Sequence, residues 1–152
     1  MKMPARKNIR LKNFDYSLAG NYFITICIYQ NKQILSKIIQ KDNIGIFNKS
    51  FAVELSSIGK IINKNLLEIE NIFNFTKLNE YIIMPNYLHF ILSLMENGKV
   101  KLGSIIGVFK SLCVKDCISK GIKLRKLWQR NFYEHIIRNE KEYKIISDYI
   151  IS

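Results

Sequence analysis

Residues 87–94 alternate between apolar and mixed positions with the period of a β-strand. The even-numbered positions are all Leu or Phe, so one face of the strand is apolar and belongs against helices. The opposite face begins with Tyr87 and His89, two residues apart and pointing the same way. Pro85 and Asn86 favour a turn, so the apolar run over 75–84 predicts a second strand that enters this corner.

Other apolar patterns complete the set of predicted elements. Residues 21–30 are rich in β-branched and aromatic side chains and predict a central strand, while 33–38 and 44–55 predict a hairpin or a loop-rich edge. Helical spacing predicts helices over 56–70 and 102–120, and Asn139 caps a last helix over 140–151. Either Ser56 or Ser57 can cap the first helix, and Gly121 can end the second.

These elements predict an α+β fold, in which a ferredoxin-like antiparallel sheet is packed on one face by the helices over 56–70 and 102–120. The other face, which carries Tyr87 and His89, is expected to receive the final helix. At 152 residues the chain is predicted to form a single domain, with residues 1–13 as a basic N-terminal arm.

Charge indicates an anionic partner. The chain has 24 Lys and Arg against 12 Asp and Glu, a formal net charge of +12. Residues 1–50 carry 9 basic and 2 acidic side chains, 51–100 carry 4 and 5, and 101–152 carry 11 and 5. This distribution favours nucleic acid over a membrane surface, as if both ends of the chain lined one groove. A protein that is merely basic and soluble is the alternative.

The apolar runs and the cysteines limit the classes of protein to which the chain can belong. No apolar run approaches the roughly 20 residues of a membrane span, and the N-terminus lacks the apolar core of a signal peptide. Three cysteines without CxxC spacing fit reduced thiols and a cytoplasmic location. Cys113 and Cys117 lie one helical turn apart, which is more typical of core residues than of a metal site.

The stretch from Leu127 to Arg138 offers groups that hold unpaired bases and phosphates. Trp128 supplies a stacking plane, and Arg130 and Arg138 supply guanidinium groups. Core packing is the alternative for Trp128, and a hydrogen-bonded structural role is the more common one for His135.

Three segments, in this order along the chain, resemble one family. Met-Pro-Asn-x-x-His ending at His89, Trp-Gln-Arg from Trp128 with its continuation to Arg138, and Asp-Tyr-Ile around Tyr149 are similar to motifs of the REP-associated tyrosine transposases. These belong to the HUH superfamily of single-strand DNA nucleases and are relatives of the insertion-sequence-200-type transposases. The resemblance covers about Arg6 to Ile151.

The resemblance implies a catalytic site. Family members grip one divalent ion, Mg²⁺ or Mn²⁺, with two His and one further polar residue, and a tyrosine on the last helix attacks the DNA. Here His89 is the second His, Tyr87 stands where the first would be, and the third ligand would follow Ser152. We therefore expect weak or absent metal binding. Tyr149 is the candidate nucleophile, with Tyr143 and Tyr133 as alternatives by position.

The resemblance and the charge pattern together predict the DNA contacts. The candidate DNA-binding residues are Arg6, Arg10, Lys110, Trp128, Arg130 and Arg138.

The leading hypothesis is a transposase-family protein that binds single-stranded or hairpin DNA and cleaves it poorly or not at all. The alternative is a non-catalytic nucleic-acid-binding module, for DNA or RNA, because aromatic side chains on a sheet can stack bases. A structural partner of another protein is the third hypothesis. Family members act either as homodimers or as single chains, and both arrangements are open here.

Overall fold

The computed structural model describes residues 14–42 and 49–151. The elements follow in the order β1 (Gly20–Cys27), β2 (Ser36–Asp42), β3 (Lys49–Leu55), α1 (Ser57–Ile72), β4 (Thr76–Ile83), β5 (Tyr87–Leu94), α2 (Leu102–Ser119), β6 (Tyr133–Ile137) and α3 (Glu140–Ile151). The mixed α+β composition is therefore confirmed. The predicted basic arm, with Arg6 and Arg10, lies outside the described residues.

The main sheet has four strands in the order β4-β5-β1-β6, and every neighbouring pair is antiparallel. With α1 before β4 and α2 after β5, this order is the ferredoxin-like arrangement that the sequence predicted. The strands β2 and β3 form a separate two-stranded sheet, so the predicted hairpin does not extend the main sheet.

One face of the main sheet is sealed by α1 and α2. The core side chains Ile24 of β1, Phe90 of β5, Ile62 of α1 and Phe109 of α2 are all 0 or 1% exposed and belong to one cluster. Burial of this continuous apolar surface is the dominant stabilising term of the fold.

The other face is only partly covered, by α3. Ile91 of β5, Ile137 of β6 and Ile150 of α3 form a smaller apolar cluster there. The predicted placement of the helices is confirmed, because α1 and α2 occupy one face of the sheet and the final helix occupies the face of Tyr87 and His89. We call the second face the open face.

Local signals at the ends of the helices were also confirmed. Ser56 is the residue that caps α1, since its hydroxyl oxygen accepts a hydrogen bond from the Gly59 amide at 3.0 Å. Asn139 caps α3 through its side-chain oxygen, which accepts from the Glu142 amide at 2.8 Å. Gly121 follows α2 with a φ of 74°, a conformation that glycine adopts without strain.

No helix in the described part of the chain has the length and apolar character needed to cross a membrane.

Candidate functional site

The open face carries Tyr87 and His89 at the start of β5, directly after the Pro85–Asn86 corner. Their ring centroids lie 4.7 Å apart, as expected for side chains two residues apart on one face of a strand. The corner is fixed by backbone hydrogen bonds, in which the Leu35 amide donates to the Pro85 carbonyl at 3.0 Å and the Ile28 amide donates to the Asn86 carbonyl at 2.9 Å. Tyr87 and His89 therefore stand on a rigid part of the sheet.

Thr25 is a site residue that sequence reasoning missed. It lies directly opposite His89 in the β1–β5 register, and its hydroxyl oxygen is 2.8 Å from Nδ1 of the imidazole. Thr25 is 8% exposed, so this hydrogen bond is shielded and fixes the orientation of the ring. A polar Thr in an otherwise apolar strand was the available signal, but only the strand register connects it to His89.

Burial sets the charge of His89. It lowers the pKa of the imidazole from 6.5 to about 4, because the charged form loses its solvation. His89 is therefore neutral at neutral pH, with Nδ1 engaged by Thr25.

The final helix brings Tyr149 over this part of the sheet. Its ring centroid lies 5.7 Å from that of His89 and 6.5 Å from that of Phe23, and the Phe23 ring lies 5.1 Å from His89. Tyr149 is 61% exposed, so the phenol can be reached from solvent. The structure thus brings the predicted nucleophile and the predicted ligand together, while their roles stay predictions. We refer to Phe23, Tyr87, His89 and Tyr149 as the ring cluster.

The alternative nucleophiles are placed differently. The Tyr143 hydroxyl donates to the Glu80 carboxylate at 2.9 Å, and burial together with this bond raises the pKa of Tyr143 to about 12. Tyr143 therefore anchors α3 to β4. The hydroxyl oxygen of Tyr133 is buried, and burial raises the pKa of this phenol. Both phenols are less available for attack than Tyr149.

The side chains around His89 do not fit a divalent ion. Burial raises the pKa of Tyr87, so this residue stays a neutral phenol, which is a poor ligand for a hard cation. Among the described residues, no group of three or more His, Cys, Asp or Glu is arranged to hold a metal. Cys113 and Cys117 are buried free thiols of the core, in agreement with the simpler of their two interpretations. His89 is thus left as a single imidazole donor.

Two of the predicted DNA-binding residues, Trp128 and Lys110, make contacts within the protein. Trp128 is only 6% exposed, packs 5.7 Å from Phe109 and donates its indole N–H to the Lys110 carbonyl at 3.1 Å. It is a core residue and has no free face for a base. The Lys110 ammonium donates to the carbonyls of Gln129 and Asn131 at 3.1 and 2.7 Å, so its main contacts are with the protein itself.

The remaining predicted cations are available. Arg130 and Arg138 are exposed, at the two ends of the segment that contains β6. His135 is also exposed, and its Nε2 lies 2.6 Å from the Glu142 carboxylate, which links β6 to the first turn of α3. This contact agrees with the structural role expected for His135.

Comparisons with known proteins were made for the whole chain. No protein-family model matches the sequence. A protein of uncharacterised function from Haemophilus influenzae is 32% identical over 165 residues, which cover 95% of this chain and 86% of that protein.

Two further similarities carry a description of function. A REP-associated tyrosine transposase from Escherichia coli is 32% identical over 74 residues, 49% of this chain but only 41% of that protein. A solved structure of a REP-associated tyrosine transposase bound to a REP hairpin superposes with a TM-score of 0.65 at 20% identity. That superposition covers 93% of this chain and 69% of the other, and it supports the fold.

Proposed function

We propose that this chain is a member of the family of the REP-associated tyrosine transposases and that it binds single-stranded or hairpin DNA on its open face. We further propose that it is a weak or inactive nickase. The observation that carries the proposal is the position of Tyr149, an exposed phenol 5.7 Å from the ring of His89 on a sheet face that one helix covers only in part.

Binding is supported by the chemistry of the ring cluster and its surroundings. Tyr149 and Tyr87 present aromatic surface on which an unpaired base can stack, a contact worth about 1–3 kcal/mol per base. The exposed Arg130 and Arg138 can neutralise phosphates on either side. A net charge of +12 draws the polyanion to the protein over longer distances.

Weak catalysis is supported by what surrounds the nucleophile. In a nicking reaction the Tyr149 oxygen would form a bond to phosphorus, and a 3′-hydroxyl would leave. A phenol is a weak nucleophile at neutral pH and depends on polarisation of the phosphate. In the part of the chain that the structure describes, Tyr87 and His89 supply only one imidazole for an ion that would do this. Binding without efficient cleavage is the expected result.

The test uses a fluorescent DNA hairpin with a single-stranded extension, incubated with the protein and Mn²⁺. Anisotropy measures binding, and a denaturing gel measures covalent adduct. We expect binding with little or no adduct, and a loss of affinity of about 5- to 150-fold in Tyr149→Ala, which removes one stacked ring.

Ile145→Ala is the matched control for this test, because Ile145 lies on the same helix with the same exposed fraction of 61%. It should leave the affinity unchanged. Abundant adduct that disappears in Tyr149→Phe would show an active nickase. Unchanged affinity in Tyr149→Ala would show that the ring cluster does not contact the DNA.

A second candidate is a non-catalytic nucleic-acid-binding module for DNA or RNA. The observation that favours it is the ring cluster itself, in which the rings of Phe23, Tyr87 and Tyr149 surround the neutral imidazole of His89. Affinity that is indifferent to Mn²⁺ and higher for an RNA strand than for DNA of the same sequence would select this function.

A further inference from the structure

The connection between α2 and β6 concentrates positive charge on the surface. Residues 120–130, which we call the basic loop, contain no acidic residue and carry Lys120, Lys123, Arg125, Lys126 and Arg130. All five side chains are exposed. None of them forms an ion pair with a carboxylate in the described parts of the chain. The Lys126 ammonium lies 5.0 Å from the centroid of the Tyr29 ring, and the positive charge of the loop is not neutralised by a carboxylate of the described residues.

This loop is tied to the sheet. The Tyr29 amide donates to the Leu127 carbonyl at 2.9 Å, and the Gln129 amide donates to the Cys27 carbonyl at 3.0 Å. The Lys110 ammonium holds the same end through the Gln129 carbonyl at 3.1 Å. A charged segment fixed in this way loses little conformational entropy when a ligand binds.

The anchored end of the loop lies one strand away from Tyr87. Gln129 is bonded to Cys27, and Cys27 is the register partner of Tyr87 across β1 and β5. The C-terminal end of the basic loop therefore lies at the end of the sheet where the open face carries Tyr87. DNA whose unpaired strand lies on the ring cluster would bring its adjoining duplex to this loop.

We propose that the basic loop holds the duplex stem of the DNA by contacts to phosphates, a role that rests on the function proposed above. Exposed cations with no neighbouring carboxylate suit a phosphodiester backbone, and a duplex offers one negative charge per roughly 1.7 Å of its axis. Such contacts carry no base information, so they position the stem and leave recognition of the unpaired strand to the ring cluster.

The experiment compares two ligands and two variants. The ligands are a hairpin with a single-stranded extension and the extension alone, and affinities are measured over a range of salt concentrations. In Lys123→Gln/Arg125→Gln/Lys126→Gln we expect hairpin affinity to fall by at least about tenfold. The slope of log K against log salt should become shallower by about 2.7, at about 0.9 per lost phosphate contact. Affinity for the extension alone should change by less than about twofold.

The matched control is Lys60→Gln/Lys77→Gln/Lys99→Gln, which removes the same charge from exposed positions outside the loop. It should bind both ligands like the wild type. Lys123→Arg/Lys126→Arg keeps the charge and should keep the affinity for the hairpin. Thermal unfolding confirms that each variant is folded.

The possible results separate the two proposals. Hairpin binding that is unchanged in the loop variant, or reduced equally in the control, overturns the stem contact but leaves the open face as a DNA surface. A wild-type protein that binds neither ligand overturns the proposed function and the stem contact with it.

Discussion

The two faces of β5 show how one strand serves two purposes. On one face Leu88, Phe90 and Leu92 are 0% exposed and packed under α1 and α2, as in any closed core. On the other face Ile91 is sealed by α3, whereas Tyr87 and His89 remain partly accessible. The closed face therefore contributes most of the apolar burial that stabilises the fold, whereas the open face buries less apolar surface and presents aromatic and polar side chains.

The contrast within the open face is equally informative. Two hydrogen bonds fix the groups on this face. Thr25 orients the His89 ring, and the Tyr143 hydroxyl binds Glu80 and holds α3 in place. The set of metal donors on this face is not complete, because Tyr87 is a phenol. Among the described residues, the open face is therefore a well-supported surface that offers one imidazole donor.

The largest expected effect separates the two faces of the strand. Phe90→Ala should lower the free energy of unfolding by about 3–5 kcal/mol, because it opens a cavity in a fully packed core. His89→Ala, one residue away on the open face, should cost only about 1–2 kcal/mol, because it leaves the Thr25 hydroxyl without its partner but opens no cavity in the core. Chemical denaturation of both variants measures the difference. Similar losses would show that the open face is part of the core.

A smaller effect tests the missing metal donor. Tyr87→His would place two imidazoles side by side, and we expect Mn²⁺ to stabilise this variant by about 1.4 kcal/mol at roughly ten times its Kd. Tyr87→Phe is the control, and neither it nor the wild type should respond. The readout is the melting temperature with and without the ion. Equal stabilisation of the wild type would contradict the account of Tyr87.

The smallest effect concerns the charge of His89. Its pKa is 6.5 in the unfolded chain and about 4 in the folded protein, so the unfolded state binds more protons between these values. The contribution of His89 to stability is therefore fully present above pH 6.5 and is lost as the pH falls toward 4, by about 1 kcal/mol at this partly exposed position. As the pH falls over this range, the free energy of unfolding of the wild type should decrease more than that of His89→Gln. Parallel curves would show that His89 is not buried.

The elements could be predicted because their signals are local. The alternation over 87–94, the cap at Ser56 and the cap at Asn139 all lie within a few residues of the structure that they specify.

The site was harder to predict because its contacts join distant residues. Thr25 and His89 are 64 positions apart, and the sequence gives no register between their strands. The same limit applies to Trp128, whose aromatic ring suits either a core or a stacked base. Its burial depends on Phe109 and on the Lys110 carbonyl, which only the packing of α2 brings within reach.

The central claim is that DNA lies on the open face and the basic loop, and not on the helical layer. Chemical-shift mapping of the isotope-labelled protein during titration with the hairpin tests it most directly. We predict the largest amide shifts at Thr25, His89, Tyr149 and Arg125, with little change at Lys60 and Leu67 on the outer side of α1. Shifts concentrated on α1, with the ring cluster unaffected, would contradict it.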